Sequence, residues 1–102
     1  MDIYFKVEQD EENFIIYMNE KFYNYCEKYY KNESFFNITY RLFNLLPKDF
    51  YHYIGYKYNA HFKKCEYLRF VKMFFKEKKD AENFCKELNR RFQYCIDRGD
   101  FN

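Results

Sequence analysis

The sequence has no tryptophan, two glycines, one proline, one serine and one threonine among its 102 residues. So few glycines exclude a glycine-rich phosphate-binding loop, which needs several of them close together. One serine without a neighbouring histidine, and two histidines in all, offer little for nucleophilic or acid–base catalysis. No apolar run approaches the roughly 18 residues of a membrane-spanning helix. The sequence therefore predicts a protein that is not an enzyme, needs no cofactor and does not enter a membrane.

The four cysteines show no Cys-x-x-Cys spacing. Cys85 and Cys95 fall on one predicted helix, about 15 Å apart along its axis, which is too far for a disulfide. The first predicted strand carries charged residues where a signal peptide would need an unbroken apolar segment, so we expect a cytoplasmic protein. We expect buried thiols at Cys26, Cys85 and Cys95, and Cys65 as the most exposed thiol.

Three side chains of metal-ligand type, His52, His61 and Cys65, occur near one another in the sequence. Zinc sites normally show close pairs of ligands on both sides of the metal, and no fourth ligand is visible here. We therefore predict no metal site.

Aromatic residues are abundant, with 13 tyrosines and 14 phenylalanines, and hydrophobic residues make up 48% of the chain. A chain of this length and composition can bury one core, so residues 1–102 are predicted to form a single domain. Codons for Phe, Tyr, Asn, Lys and Ile are AT-rich, which favours an AT-rich bacterium or a phage or plasmid living in one. The net charge of +2 provides no general attraction to nucleic acid or membrane, although residues 35–102 are more basic than residues 1–34.

The first half of the chain is predicted to begin with a strand and continue as helix. Ile3, Phe5 and Val7 alternate with polar residues, as in a half-buried strand. The acidic residues from Asp10 to Glu12 suit the first turn of a helix that carries Ile15, Met18, Phe22, Tyr25, Cys26 and Tyr29 and stops at Asn32. Residues 34–46 fit a helix capped by Ser34, but Phe36 to Phe43 also fit a strand.

The second half is predicted to contain two strands and a helix. Tyr51 to Tyr58 is interpreted as a strand with a bulge at Gly55, followed by a loop from Asn59 to Lys64. Tyr67 to Phe75 is apolar on both faces, which is typical of a central strand. The last helix begins at Asp80 as N-cap, ends before Gly99, and buries the stripe of Ala81, Phe84, Cys85, Leu88, Phe92, Cys95 and Ile96.

The order strand, helix, helix, strand, strand, helix predicts an α+β fold. We expect a small antiparallel three-stranded sheet in the order 2-3-1 with helices on one face, which is the ferredoxin-like plan without its last strand.

Part of the chain resembles the RNA-recognition motif. The stretch from Arg69 to Phe74, leading to Asp80-Ala81-Glu82 and Leu88-Asn89, is similar to the third strand and second helix of that family, and Ile3-Tyr4-Phe5 is similar to its first strand. The resemblance implies that Tyr4 and Phe70 stack on bases, with Leu68 where another ring is expected. RNA or single-stranded DNA binding is therefore the alternative function.

The function favoured by the sequence is protein binding. The tyrosines and the basic residues of the second and third predicted strands exceed what one small core can hide, and Tyr and Arg are enriched at the centres of protein interfaces. The predicted binding residues are Tyr53, Tyr56, Tyr58, Tyr67, Arg69 and Lys72.

Because Arg69 and Lys72 lie on opposite faces of the third predicted strand, we expect Arg69 among the tyrosines and Lys72 towards the helices, satisfied by Glu27 or Glu87. We expect a protein partner, or a homo-oligomer formed through the open sheet face. Inhibition of a host defence protein by occlusion, such as an anti-CRISPR role in the host cytoplasm for a phage product, would suit a chain of this size.

Overall fold

The computed structural model of the chain describes residues 4–20, 23–24, 42–65 and 70–98. These residues form four strands and two helices, in the order β1 (Phe5–Asp10), β2 (Asn13–Met18), α1 (Pro47–Tyr58), β3 (His61–Cys65), β4 (Phe70–Phe74) and α2 (Lys78–Arg98). The predicted α+β class is confirmed. The three-stranded ferredoxin-like plan is not confirmed, because the described strands form two antiparallel pairs, β1 with β2 and β3 with β4.

The chain makes a hairpin where the sequence predicts the start of a helix. β1 pairs with β2 from Phe5 opposite Met18 to Asp10 opposite Asn13. The acidic residues expected in a first helical turn form the tight connection, in which Glu11 has a left-handed φ of 57°. The prediction was wrong because it relied on the helix-like spacing of Ile15 and Met18. The same residues belong to a segment with high β propensity, which pairs with β1.

Helix α1 replaces the second predicted strand. Its first turn contains Pro47 and Asp49, both favourable there, and Phe50, Ile54 and Tyr58 recur every four residues as its buried face. Gly55 is not a bulge, and a Cβ there would meet the Ala60 carbonyl oxygen at an ordinary 3.7 Å.

The turn that ends α1 leads directly into strand β3. Asn59 adopts the left-handed conformation at the C-terminus of the helix, and the Ala60 N–H donates to the Ile54 carbonyl. The loop predicted from Asn59 to Lys64 is wrong from His61 onward, since His61–Cys65 pair with β4. Lys63 and Lys64 made this segment look like a loop in the sequence. Lysine is, however, also common on strands at the edge of a sheet.

Strand β4 lies within the stretch predicted as the third strand, of which residues 67–69 are outside the described residues. It pairs with β3 along its length. One isolated bridge, between Phe14 and Phe75, also connects it to the first hairpin, through two backbone hydrogen bonds of 2.8 Å.

Helix α2 confirms the clearest prediction from the sequence. Its buried residues are Ala81, Phe84, Cys85, Leu88 and Phe92, and the half-buried Cys95 and Ile96 pack against the same core. The helix begins at Lys78, two residues before the predicted N-cap, so Asp80 lies in the first turn instead. Gly99 is outside the described residues.

The predicted helix from Ser34 to Leu46 lies mostly outside the described residues. Within the part that is described, Leu42 is helical and buried, and Asn44 has a left-handed φ of 54° before α1 begins.

Aromatic rings join the two helices and the strands in one core. The Phe84 ring lies 5.8 Å from the Phe43 ring, 5.2 Å from Tyr58 and 5.7 Å from Phe75, measured between centroids. A ring from each neighbouring segment therefore contacts one side chain of α2, which fixes α1 and β4 relative to that helix.

A polar cluster on α2 holds the start of β1. The Asn89 Oδ1 accepts hydrogen bonds from the backbone N–H groups of Tyr4 and Phe5, at 2.8 and 2.9 Å. The Asn89 Nδ2 and the Cys85 thiol donate to the Phe5 carbonyl, and the Tyr4 hydroxyl donates to Gln93. These bonds satisfy the outer edge of β1 with side chains of the helix.

Candidate functional site

The six binding residues predicted from the sequence do not lie on one sheet. Tyr53, Tyr56 and Tyr58 are on helix α1, and Lys72 is on strand β4. Tyr67 and Arg69 lie outside the described residues. The assignment of the tyrosines to a sheet face is therefore wrong, because the segment that carries them is helical.

Two tyrosines of α1, Tyr53 and Tyr58, lie beside a lysine of the same helix. The Lys57 ammonium donates to the Tyr53 hydroxyl at 2.9 Å and lies 5.4 Å from the centroids of both the Tyr53 and Tyr58 rings. The hydrogen bond to Tyr53 raises the pKa of Lys57. Lys57 therefore places a cation beside two aromatic rings.

Tyr56 differs from its neighbours in its exposure. Its side chain is 91% exposed, whereas Tyr58 is 8% exposed and packs against Phe84. Tyr58 therefore supports the surface from inside, and Tyr56 presents a full ring and a hydroxyl to solvent.

A carboxylate of α2 binds two arginines of the same helix. Glu87 pairs with Arg90 at 2.6 Å and with Arg91 at 2.7 Å. The hydrogen bonds from Arg90 are the main reason that the pKa of Glu87 is lowered. The Arg91 guanidinium also lies 4.3 Å from the centroid of the Phe43 ring. This network orients both guanidinium groups.

The two clusters adjoin each other. Phe43 connects them, because its ring lies 5.9 Å from the Tyr53 ring and beneath the Arg91 guanidinium. The charge of Glu87 adds to the effect of burial in raising the pKa of Tyr58. We call Tyr53, Tyr56, Lys57, Tyr58, Arg90 and Arg91 the tyrosine–arginine surface.

Sequence reasoning did not bring these residues together. Lys57 and Arg91 were not predicted, and Arg90 belonged to the alternative surface that the sequence indicates, the outer side of the last helix around Lys86 and Arg90. The available signal was helical spacing, since Tyr53 and Lys57 are four residues apart and Glu87 precedes Arg90 by three.

Lys72 is engaged on the outer side of the strands. It forms an ion pair with Asp10 of β1, and both side chains are about two-fifths exposed, at 42% and 40%. The sequence predicts Glu27 or Glu87 as its partner. Glu87 is bound to the two arginines, and Glu27 lies outside the described residues.

The base-stacking roles implied by the RNA-recognition resemblance are not supported at Tyr4. This side chain is 4% exposed and its ring packs edge-on against Phe92 at 4.6 Å. A ring in the core cannot stack on a base, so that part of the resemblance is wrong. Leu68 lies outside the described residues, and so does the side chain of Phe70.

The thiol prediction is confirmed at Cys85. Burial raises the pKa of Cys85 to about 11, and its thiol donates to the Phe5 carbonyl at 3.1 Å. Cys95 is half-buried rather than buried. Cys26 and the side chain of Cys65 are outside the described residues, so the expected exposure of Cys65 stays a prediction.

Within the described ranges, no three His, Cys, Asp or Glu side chains lie close enough together to hold a metal ion. Neither described helix combines the length and apolar character needed to cross a membrane.

No protein-family model matches the chain, and comparisons with curated proteins and with solved structures give no significant match.

Proposed function

We propose that this chain is a non-enzymatic protein-binding module whose contact surface is the tyrosine–arginine surface. The single observation that carries the proposal is the 91% exposure of Tyr56 on α1, the helix on which Lys57 bonds to Tyr53. A ring held on a rigid helix loses little conformational entropy when a partner covers it, and Tyr and Arg dominate the residues whose truncation weakens interfaces most.

Occlusion of another protein's working surface is the mode of action that we propose. Inhibition of a bacterial defence protein by a phage- or plasmid-encoded chain would be one instance of it. Self-association through the outer sheet face stays a prediction.

Charge favours a protein over a nucleic acid as the partner. Arg90 and Arg91 are both bound to Glu87, and Lys57 is bonded to Tyr53. A nucleic acid would have to compete with these bonds, and a surface that neutralises only about two phosphates binds weakly at physiological salt. A protein interface can instead cover an existing Arg–Glu pair together with its tyrosines.

The test is affinity capture from a nuclease-treated lysate of the source cell, with three versions of the chain as bait. We expect a partner that the wild-type chain and Tyr23→Ala retain and that Tyr56→Ala loses. Tyr23 is the matched control because it is also an exposed tyrosine, at 51%, on a different segment. Equal capture by all three, or binding of nucleic acid that falls log-linearly with added salt from a high value at physiological salt, would contradict the proposal.

A further inference from the structure

Arg90 of α2 has hydrogen-bond donors that its partner on the same helix does not use. Its Nε and Nη2 atoms donate to the two carboxylate oxygens of Glu87, at 3.1 and 2.6 Å. A guanidinium also donates from its other terminal nitrogen, Nη1, which bonds to no acceptor among the described residues. The Arg90 side chain is 69% exposed. Arg90 is therefore an oriented cation whose remaining donors are available to a partner.

Lys57 of α1 is a second exposed cation with donors to spare. Its ammonium has three N–H donors and gives one of them to the Tyr53 hydroxyl, at 2.9 Å. Because the Tyr53 oxygen accepts this bond, its own O–H stays available as a donor. Lys57 and Tyr53 therefore offer an ammonium and a hydroxyl side by side to an incoming acceptor.

The contact between the helices brings the two cations to one surface. The Tyr58 ring packs against Phe84 of α2 at 5.2 Å between centroids. Glu87, which binds Arg90, follows Phe84 by about one helical turn. The hydrogen bonds to Glu87 are the main reason that the pKa of Arg90 is raised. Tyr58 and Tyr53 add to this rise in pKa, so the guanidinium lies within electrostatic reach of both hydroxyls.

The tyrosine–arginine surface has an excess of positive charge. Its cations are Lys57, Arg90 and Arg91, and the carboxylate bound to the two arginines is Glu87, so two positive charges are left over. Asp49, the acidic residue of α1, lies eight residues before Lys57, about 12 Å along the helix axis. That separation exceeds the screening length at physiological salt, so Asp49 does not cancel the excess. The charge therefore complements a negatively charged partner surface.

We propose that the partner protein covers this surface with an acidic segment, whose aspartate or glutamate carboxylates accept hydrogen bonds from Lys57 and from Nη1 of Arg90. The inference rests on the proposed function and names the chemistry of the contact. Glu87 keeps both of its bonds to Arg90, because the donors that it does not use are sufficient. Hydrogen bonds between ionised groups are shorter and stronger than neutral ones, which suits a carboxylate to these donors.

The exposed ring of Tyr56 indicates what accompanies the carboxylates. Tyr56 is 91% exposed and follows Tyr53 by three residues, so the two share one side of α1. A tyrosine ring offers an apolar face that an aliphatic or aromatic side chain can cover. The expected segment therefore combines carboxylates with an apolar or aromatic residue.

The small number of cations favours a protein carboxylate over the phosphates of a nucleic acid. Lys57 and Arg90 have donors to spare, and Glu87 between the arginines repels a chain of phosphates. A nucleic acid that neutralises about two cations gains little affinity at physiological salt. Within a protein interface, one or two ionic contacts beside a buried ring are enough to give specificity.

The probes for the test are twelve-residue peptides selected on the full chain from a displayed random library and then synthesised. We expect the selected peptides to contain more aspartate and glutamate than the unselected library, beside apolar or aromatic residues. Replacing their carboxylates by the corresponding amides is expected to weaken binding about tenfold or more, measured by calorimetry. A twelve-nucleotide oligothymidine is the comparison probe and is expected to bind at least about tenfold more weakly at physiological salt.

Variants of the chain locate the contact. Lys57→Gln and Arg90→Gln are each expected to raise the dissociation constant of the peptides at least about fivefold. Lys57→Arg keeps the charge and should stay within about twofold of wild type. Lys79→Gln is the matched control, because it removes an exposed cation of α2 that lies about 16 Å along the axis from Arg90. The unfolding temperature of each variant is the control for folding.

The proposal is overturned if the library yields no binding peptide, if the selected peptides are not enriched in acidic residues, or if oligothymidine binds as tightly as they do. Peptides that lose affinity for Tyr56→Ala and keep it for Lys57→Gln and Arg90→Gln would show that the acidic contact is wrong and that the tyrosine–arginine surface stands. Peptides that depend on both cations and not on Tyr56 would support the acidic contact and contradict the binding role of Tyr56. The two failures are therefore distinguishable.

Discussion

Cys85 couples the stability of the fold to pH. Its pKa is raised by burial to about 11, from an ordinary value of about 9, so the folded state favours the protonated thiol. The stability this contributes is fully present below pH 9 and is lost as the pH rises towards 11, with a total of about 2 to 3 kcal/mol.

The check is the free energy of unfolding of the wild type and of Cys85→Val, measured by urea denaturation between pH 8 and 10.5. We expect the free energy of unfolding of the wild type to fall relative to that of Cys85→Val as the pH rises. A difference that does not change with pH would show that the thiol is not held protonated by the fold. Because lysines and tyrosines titrate equally in both proteins, the comparison isolates Cys85.

Glu11 is the residue at which the first hairpin is under backbone strain. It has a left-handed φ of 57°, a conformation that asparagine adopts more readily than glutamate. Glu11→Asn is therefore expected to raise the free energy of unfolding by about 0.5 to 1 kcal/mol. Glu12→Asn removes the same charge from the same turn without a left-handed residue, and should change stability by less than about 0.5 kcal/mol. If the two substitutions changed the free energy of unfolding equally, the gain would come from removing a negative charge and not from relief of backbone strain.

At the scale of elements, Asn89 connects α2 to β1. Asn89→Ala takes away the acceptor that the N–H groups of Tyr4 and Phe5 share, and is expected to lower the free energy of unfolding by about 2 to 3 kcal/mol. Asn83→Ala, at an exposed position of the same helix, is the control and should cost less than about 0.5 kcal/mol. A loss below about 1 kcal/mol at Asn89, measured by urea denaturation, would mean that β1 is held by its apolar contacts alone.

The success of sequence reasoning differed between elements for a physical reason. The stripe of α2 repeats at helical spacing for about four turns with few competing patterns, so the helix and its buried face could be predicted. In α1, tyrosines fall at 51, 53, 56 and 58, and their alternation at the start of the segment imitates a strand. The decisive pattern there was Phe50, Ile54 and Tyr58 at intervals of four. The β1–β2 hairpin depends on pairing between segments, which local periodicity does not contain.

The candidate site was predictable in its residue types and not in its geometry. Tyr56 was identified from the surplus of tyrosines, and it is fully presented to solvent. The arginines of α2 could not be assigned to the same surface, because contact between the two helices depends on Phe43 and Phe84 in the core. A wrong secondary structure for residues 51–58 then placed the tyrosines beside β4 instead of α2.

At the scale of the whole molecule, one aromatic core joins the helices and the strands. The Phe84 ring of α2 lies against Tyr58 of α1 and against Phe75, which follows β4. Among the described residues, the Phe14–Phe75 bridge and the Lys72–Asp10 ion pair connect the first hairpin to the β4 segment. The helices that carry the tyrosine–arginine surface are therefore held by the same core as the strands.

The most direct test of the central claim is the dissociation constant between the purified partner and the Tyr56→Ala variant, measured by calorimetry beside wild type and Tyr23→Ala. A ring at the centre of the interface costs about 2 kcal/mol or more when truncated, so Tyr56→Ala is expected to raise Kd by about 30-fold. Tyr23→Ala is expected to change it by less than about threefold, and both variants should unfold at the wild-type temperature. A Kd for Tyr56→Ala within threefold of wild type would contradict the assignment of the tyrosine–arginine surface as the binding surface.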